Sequence, residues 1–324
     1  MLDIKNLPES KGGNFVAELA PKNPVYRLAG LRIVSDFPLT GLPTCSDKAP
    51  AQHDVVIRRA SVPEALPSVA NGKEVLLDLP PTGRFLVRNG NEILIEPAPS
   101  SDDGEIQVYL LGTAFGVLCH QRGITPLHAS AIDVADGCVG FVGETGAGKS
   151  TLVAALAARG HEVIADDVCF LQLGDKTDVQ VWPGIRRIRL WQDAMVALGC
   201  DGPGVEREIH RYNKYLIPLR PPRNPTEPRR LHRLYHLYAA SNGETPSVNR
   251  LRGAAAMEVL IQNIYRLGLA ERTGHKPTAF ALCAAAARDV PVFRFSRRLG
   301  FDVLDEGIEF LEDHLRDICF SKGN

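Results

Sequence analysis

Eight consecutive residues, Gly143, Glu144, Thr145, Gly146, Ala147, Gly148, Lys149 and Ser150, fit the pattern G-x-x-x-x-G-K-[ST]. Glycines let a backbone curl so that successive N–H groups point inward at phosphate oxygens. A helix starting near Ser150 adds its positive dipole end, Lys149 sets a charge between the β- and γ-phosphates, and the Ser150 hydroxyl is placed to ligate Mg²⁺. With Thr151, residues 143–151 form the expected nucleotide-binding segment. Asp166 and Asp167 follow at the end of the next strand-like run. Open α/β sheets bind ligands at that edge. An in-line phosphoryl transfer needs one acid to hold Mg²⁺ and another to accept the proton of the attacking hydroxyl. Neighbouring strand residues point to opposite faces, so both aspartates can serve only if the strand has ended there. The plainer reading is that one of them caps a loop.

His128 gains meaning from a hairpin. If Ala135-Asp136-Gly137 is a three-residue turn, Val134 pairs with Cys138, and counting back sets His128 opposite Glu144, inside the phosphate loop. An imidazole there would touch the γ-phosphate or tune the nearby acid. Arg207, His210, Arg211 and Lys214 precede the run Tyr215–Leu219 and read either as a basic flap over phosphates or as a solvated surface. His232 and His236 are four apart, a metal-binding face if helical, but no third ligand is apparent and the run reads equally as a strand. Trp182 and Trp191 flank Pro183-Gly184 and read as packing residues.

The elements around these residues make an α/β pattern. His128–Val134 and Cys138–Val142 read as strands, Thr151–Arg159 as a helix stopped by Gly160, and Glu162–Ala165 as a strand, giving strand, glycine loop, helix, strand. Gly253–Leu269, Pro277–Arg288 and Val303–Ile318 read as helices, and Val292–Ser296 as a strand. Pro218–Arg230, with five prolines, reads as a surface loop. Upstream, Val25–Ser35, Asp54–Arg59, Val75–Leu79, Phe85–Arg88 and Ile93–Glu96 read as short strands, two of them joined by an Asn89-Gly90 hairpin turn. Ile106–Arg122 reads as a helix. The expected organisation is a loose arm over 1–24, a smaller β-rich α+β domain over 25–123, and a P-loop kinase domain over 124–324.

Composition excludes several classes. The 324-residue chain is 44% hydrophobic, as a protein with a sizeable core requires, and its net charge of -1 gives no support for nucleic-acid binding. Its seven cysteines include no CxxC pair, unlike a disulfide framework or a zinc site. The N-terminus lacks a charged-then-apolar signal, and the longest apolar stretch, Leu110–Cys119, is too short to span a bilayer. The expectation is a cytoplasmic protein with no nucleic-acid or membrane partner.

Leu127-His128-Ala129-Ser130-Ala131, then Gly143–Ser150, Arg159-Gly160-His161 and Ala165-Asp166-Asp167 together resemble the catalytic domain of the HPr kinase/phosphorylase family. The resemblance implies a nucleotide core like that of phosphoenolpyruvate carboxykinase. It implies an ATP- and Mg²⁺-dependent serine kinase with His128 in the active site, Lys149 on the phosphates, Ser150 on Mg²⁺ and Asp167 as base; Asp166 is assigned to the metal with Ser150. Thr151 stands where the family commonly has Glu. The family's E-x-R-G-x-G signature is replaced by a stretch carrying Arg186, Arg187 and Arg189, whose nearest acid is Asp193. The expectation from that gap is a kinase without efficient phosphorylase activity. The chain looks like a divergent HPr-kinase-related branch, some members of which phosphorylate a serine of a lasso precursor peptide. A protein or peptide bearing a serine is thus the expected partner, with a homo-oligomer left open. A small-metabolite kinase and a non-catalytic ATP-gated binding module remain the alternatives.

Overall fold

A computed structural model describes residues 24–45, 53–64, 72–175, 178–185, 187–208, 213–219, 226–241 and 243–320. The predicted arm over 1–24 lies almost wholly outside them, as do Arg186, His210, Arg211 and the middle of the proline-rich loop. The molecule is a mixed α/β structure with three sheets. Among the described residues no helix is long and apolar enough to cross a membrane.

The first sheet has seven strands: β1 (Val25–Leu28), β2 (Leu31–Ser35), β3 (Thr44–Cys45), β4 (Val55–Arg59), β5 (Glu74–Leu79), β6 (Gly83–Arg88) and β7 (Glu92–Pro97), in the order β3-β1-β2-β4-β7-β6-β5. The single predicted run over 25–35 is in fact a hairpin, reversed at Ala29 (φ 53°) and Gly30 (φ 77°). Asn89 (φ 55°) and Gly90 (φ 64°) make the predicted turn between β6 and β7. One face of this sheet packs on α1 (Asp103–Tyr109), a π-helical turn (Leu110–Ala114) and α2 (Phe115–Gln121). Asp102 caps α1 by accepting from the Glu105 N–H. Phe115 packs edge-to-face on Phe170 with centroids 5.6 Å apart, so this core reaches across to the second sheet.

The second sheet has nine strands: β8 (Thr125–Leu127), β9 (Ala129–Val134), β10 (Gly137–Val142), β11 (Val163–Ala165), β12 (Cys169–Leu173), β13 (Val179–Trp182), and, after a third sheet, β17, β18 and β19. Helix α3 (Lys149–Ala158) lies between β10 and β11. The third sheet joins β14 (Arg187–Trp191), β15 (Glu206–Arg207) and β16 (Lys214–Pro218) in the order β14-β16-β15, with α4 (Gln192–Ala197) between β14 and β15. The run holding His232 and His236 is the strand β17 (Arg229–Ala239), which pairs in parallel with β10 and with β19 (Val292–Arg297). Next to β19 runs β18 (Ser247–Leu251). The predicted helix over 253–269 is two helices, α5 (Ala254–Gln262) and α6 (Leu267–Arg272), broken where Arg266 takes a left-handed φ of 56°. Helix α7 (Lys276–Asp289) covers one face of the sheet with α5, and α8 (Leu304–Phe320) packs with α3 on the other.

Strand direction determines where chemistry can gather. Both β10 and β11 run antiparallel to β9, which lies between them, so they are parallel to each other. The C-terminal ends of β10 and β11 and the N-terminal end of β9 therefore share one sheet edge. Since β17 and β19 run parallel to β10, Arg297 at the end of β19 reaches that edge too.

The hairpin register differs by one residue from expectation. Val134 pairs with Gly137, leaving the two-residue turn Ala135-Asp136 with Ala135 at φ 46°. Gly137 is needed for another reason. A Cβ there would lie 2.4 Å from the Arg230 carbonyl and 2.5 Å from the His232 ring, so it admits the close approach of β17.

Candidate active site

The glycine loop leaves β10 at Gly143 and enters α3 at Lys149. Gly143, Gly146 and Gly148 all have positive φ, which bends the chain back over the end of the helix. No side chain caps α3, so its first-turn N–H groups stay available to an anion. Glu144, Thr145 and Gly146 are exposed, while Ala147, Ser150 and Thr151 are half-buried. Lys149 is 6% exposed and turns onto the loop itself, its Nζ donating to the Gly143 carbonyl at 2.7 Å and the Glu144 carbonyl at 3.1 Å. Burial lowers its pKa against the opposing pull of Asp167 and Asp166.

The strand does end before the aspartates. β11 stops at Ala165, and Asp167 has a left-handed φ of 71°. The two carboxylates consequently reach different partners. Asp166 Oδ1 accepts from Ser150 Oγ at 3.0 Å and from Ser130 Oγ at 2.6 Å, and its Oδ2 accepts from the Arg189 N–H at 3.0 Å. Burial raises the Asp166 pKa despite these bonds. Asp167 Oδ2 is held by the Arg189 guanidinium, whose other arm donates to Glu208 Oε2 at 2.8 Å. Burial works to raise the Asp167 pKa, but Arg189 and His128 outweigh it, and the carboxyl lies below its usual range.

His128 sits at the same edge, though not against Glu144. Its Nδ1 is 3.0 Å from the Asp167 main-chain carbonyl and 3.7 Å from Asp167 Oδ1. Burial and then Lys149 lower its pKa, so the ring is neutral near pH 7. A carbonyl can only accept, which assigns the proton to Nδ1. With Ala129 paired to Val142, the next position in the register sets His128 level with Gly143 rather than Glu144, and its ring meets Asp167.

Several residues of this edge carry no local sequence signal. Asn263 accepts the Gly143 N–H at 3.1 Å through Oδ1, and its carbonyl accepts the His128 N–H at 2.8 Å. Arg297, 4% exposed, donates to the Ala147 and Gly148 carbonyls at 3.2 Å each, and burial lowers its pKa to about 10. Glu208, just after β15, is the second acid held by Arg189 beside Asp167. Trp191 is a correction as well: it is half exposed on β14 rather than packed, with the Lys214 ammonium 4.8 Å over its ring. Of the four basic candidates, Lys214 lines a cavity beside Asp167, Arg207 is exposed, and His210 and Arg211 lie outside the described residues.

The site suits Mg²⁺. The Ser150 hydroxyl and the Asp166 carboxylate, 3.0 Å apart at the head of α3, are hard oxygen donors of the kind Mg²⁺ takes alongside phosphate oxygens and water. No cluster of three or more His, Cys, Asp or Glu able to hold a metal exists among the described residues. His232 instead contacts Asp136 at 3.0 Å, which leaves the His232/His236 metal reading without support.

Gly148 offers a test of the loop. An added Cβ would lie 2.7 Å from an Arg297 nitrogen, and the φ of 79° disfavours any other residue. Gly148→Ala is expected to lower stability by roughly 1–2 kcal/mol in denaturant unfolding. Unfolding indistinguishable from the unsubstituted chain would contradict the strained-loop geometry.

No family model matches the chain, and no curated protein matches it. Among solved structures, the HPr(Ser) kinase/phosphatase from Coxiella burnetii aligns at 14% identity, covering 60% of this chain and 97% of that one, with a TM-score of 0.31. A similarity of that size carries no argument about what this chain does.

Proposed function

We propose that the chain is an ATP- and Mg²⁺-dependent kinase that transfers the γ-phosphoryl group to a serine hydroxyl of a protein or peptide, on a P-loop core. The observation that carries this reading is the convergence at one sheet edge of an uncapped helix start, a buried lysine, a hydroxyl–carboxylate pair and a second, separately held carboxylate. The loop N–H groups and Lys149 receive the triphosphate, with Lys149 exchanging its two carbonyl bonds for phosphate oxygens. Ser150 and Asp166 would hold Mg²⁺, which would supply positive charge against the phosphate oxygens. Ser130 orients Asp166 from below. Arg189 keeps Asp167 ionised and aimed. The acceptor oxygen bonds to the γ-phosphorus as the bond to the β-phosphate oxygen breaks, ADP leaves, and the hydroxyl proton passes to Asp167.

A small-metabolite kinase is the second reading, favoured by one observation: the cavity beside Asp167 is only about 320 Å³. The test is to incubate the full chain with MgATP and serine-containing peptides or small hydroxy compounds and to follow phosphoserine and ADP by mass spectrometry. Phosphorylated product is the expected result. MgATP binding with no transfer to any acceptor would favour a binding module, and no MgATP binding at all would overturn both kinase readings.

A further inference from the structure

The cavity beside Asp167 has a charge pattern that phosphoryl transfer alone does not require. One wall is the face of β14 and β16 that carries Arg187, Arg189, Trp191 and Lys214, alternating with the core residues Ile188 and Leu190. Arg189 is neutralised by Asp167 and Glu208. Arg187, two residues along the same face, forms no side-chain hydrogen bond or ion pair among the described residues, and burial depresses its pKa against the opposing pull of Glu208, Glu206 and Asp167. Lys214 lies over the Trp191 ring, close enough to Asp167 to help lower its pKa. The opposite wall is formed by the π-helical turn, Phe170 and Tyr265, with the Arg266 guanidinium 5.3 Å over the Tyr265 ring at its rim.

A partly buried guanidinium whose donors meet no carboxylate at hydrogen-bond distance is free to receive an arriving anion. Arg187 and Lys214 face a partly open cavity of about 320 Å³, at the small end of ligand pockets and large enough for one residue with part of its neighbour. Asp166 and Asp167 at one end would repel a second anion, so a ligand anion belongs at the Arg187 end while its hydroxyl points at Asp167.

We propose that this cavity is the acceptor pocket and that Arg187 selects a hydroxyl compound carrying an anionic group beside the hydroxyl. The assignment rests on the kinase reading above. The chemistry is the same whether the anion is an acidic residue next to a peptide serine or the carboxylate of a free hydroxy acid.

The chain has two tryptophans, so Trp182→Phe leaves Trp191 as the reporter inside the cavity. The nucleotide-free protein is titrated with the blocked tripeptides Ala-Ser-Asp and Ala-Ser-Asn, and with free glycerate against ethylene glycol, by fluorescence and by calorimetry. In at least one pair the acid should bind about tenfold or more tighter than its neutral counterpart. Arg187→Gln should bring that ratio close to one with the neutral probe unchanged, and Arg187→Lys should restore part of it. A preferred acidic tripeptide indicates a peptide source, and preferred glycerate a free acid. Equal binding within both pairs, no binding by either method, or a ratio that survives Arg187→Gln overturns the proposal. Failure of the kinase reading would show separately, as absent MgATP binding by the unsubstituted chain.

Discussion

Asp167→Asn should bind MgATP almost as well as the unsubstituted chain and transfer phosphate at least ~10²-fold more slowly. The amide keeps the shape and can still meet Arg189, but it cannot take a proton from the acceptor. Among the described residues, the Asp167 carboxylate is held by Arg189 and His128 rather than by a hydrogen bond from the loop that would hold the triphosphate. Asp166→Asn should behave differently, because Asp166 receives the Ser150 hydroxyl and an amide there weakens a charged metal ligand. It should raise the Mg²⁺ concentration needed for half-maximal rate. Calorimetry for binding and single-turnover kinetics for chemistry separate the two. Full rate in Asp167→Asn combined with collapse in Asp166→Asn would mean that the base and metal roles are exchanged.

Lys149→Ala should abolish most ATP affinity or turnover, also by ~10²-fold or more, since it removes the one ammonium buried in the loop. The structure adds a second expectation. The Lys149 ammonium holds the Gly143 and Glu144 carbonyls, so without it the loop loses an internal brace as well as its charge. Lys149→Met, of similar length and without charge, should lose activity as fully. Calorimetric titration with MgATP checks both, and unchanged affinity with unchanged turnover would remove the phosphate-loop assignment.

The contiguous part of the site was legible because it is local. Eight loop residues, the helix after them and the aspartate pair lie within some 25 positions, and their spacing alone states the geometry. Asn263, Arg297 and Glu208 reach the edge from strands and turns up to about 150 residues away, and their identity as an Asn, an Arg and a Glu says nothing until β17 is known to pair with both β10 and β19. The register error has a single physical origin. Gly137 suits a turn as well as a close strand approach, and only the position of β17 decides between them. The helix over 106–122 was read from apolar spacing, which tolerates a π-helical turn without revealing it. The small third sheet, with 2- and 5-residue strands, offers too little period to detect.

That π-helical turn sets the angular phase of everything after it. One surplus residue in a helix rotates the following residues by about 100° relative to those before. Here the rotation brings Gly116 against the Tyr265 ring while Gly112 faces the Tyr265 hydroxyl; a Cβ on either would come within 3.3 Å of that tyrosine. Deleting one residue between Leu110 and Ala114 would turn α2 so that a bulkier neighbour of Gly116 met the ring. Tyr265 would then be driven toward the cavity it lines, beside His128 at 6.4 Å. The helix therefore acts as a keyed shaft between the first sheet and the reaction edge. A change of chain length far from any charged group would be transmitted to the acceptor pocket as a displaced aromatic side chain.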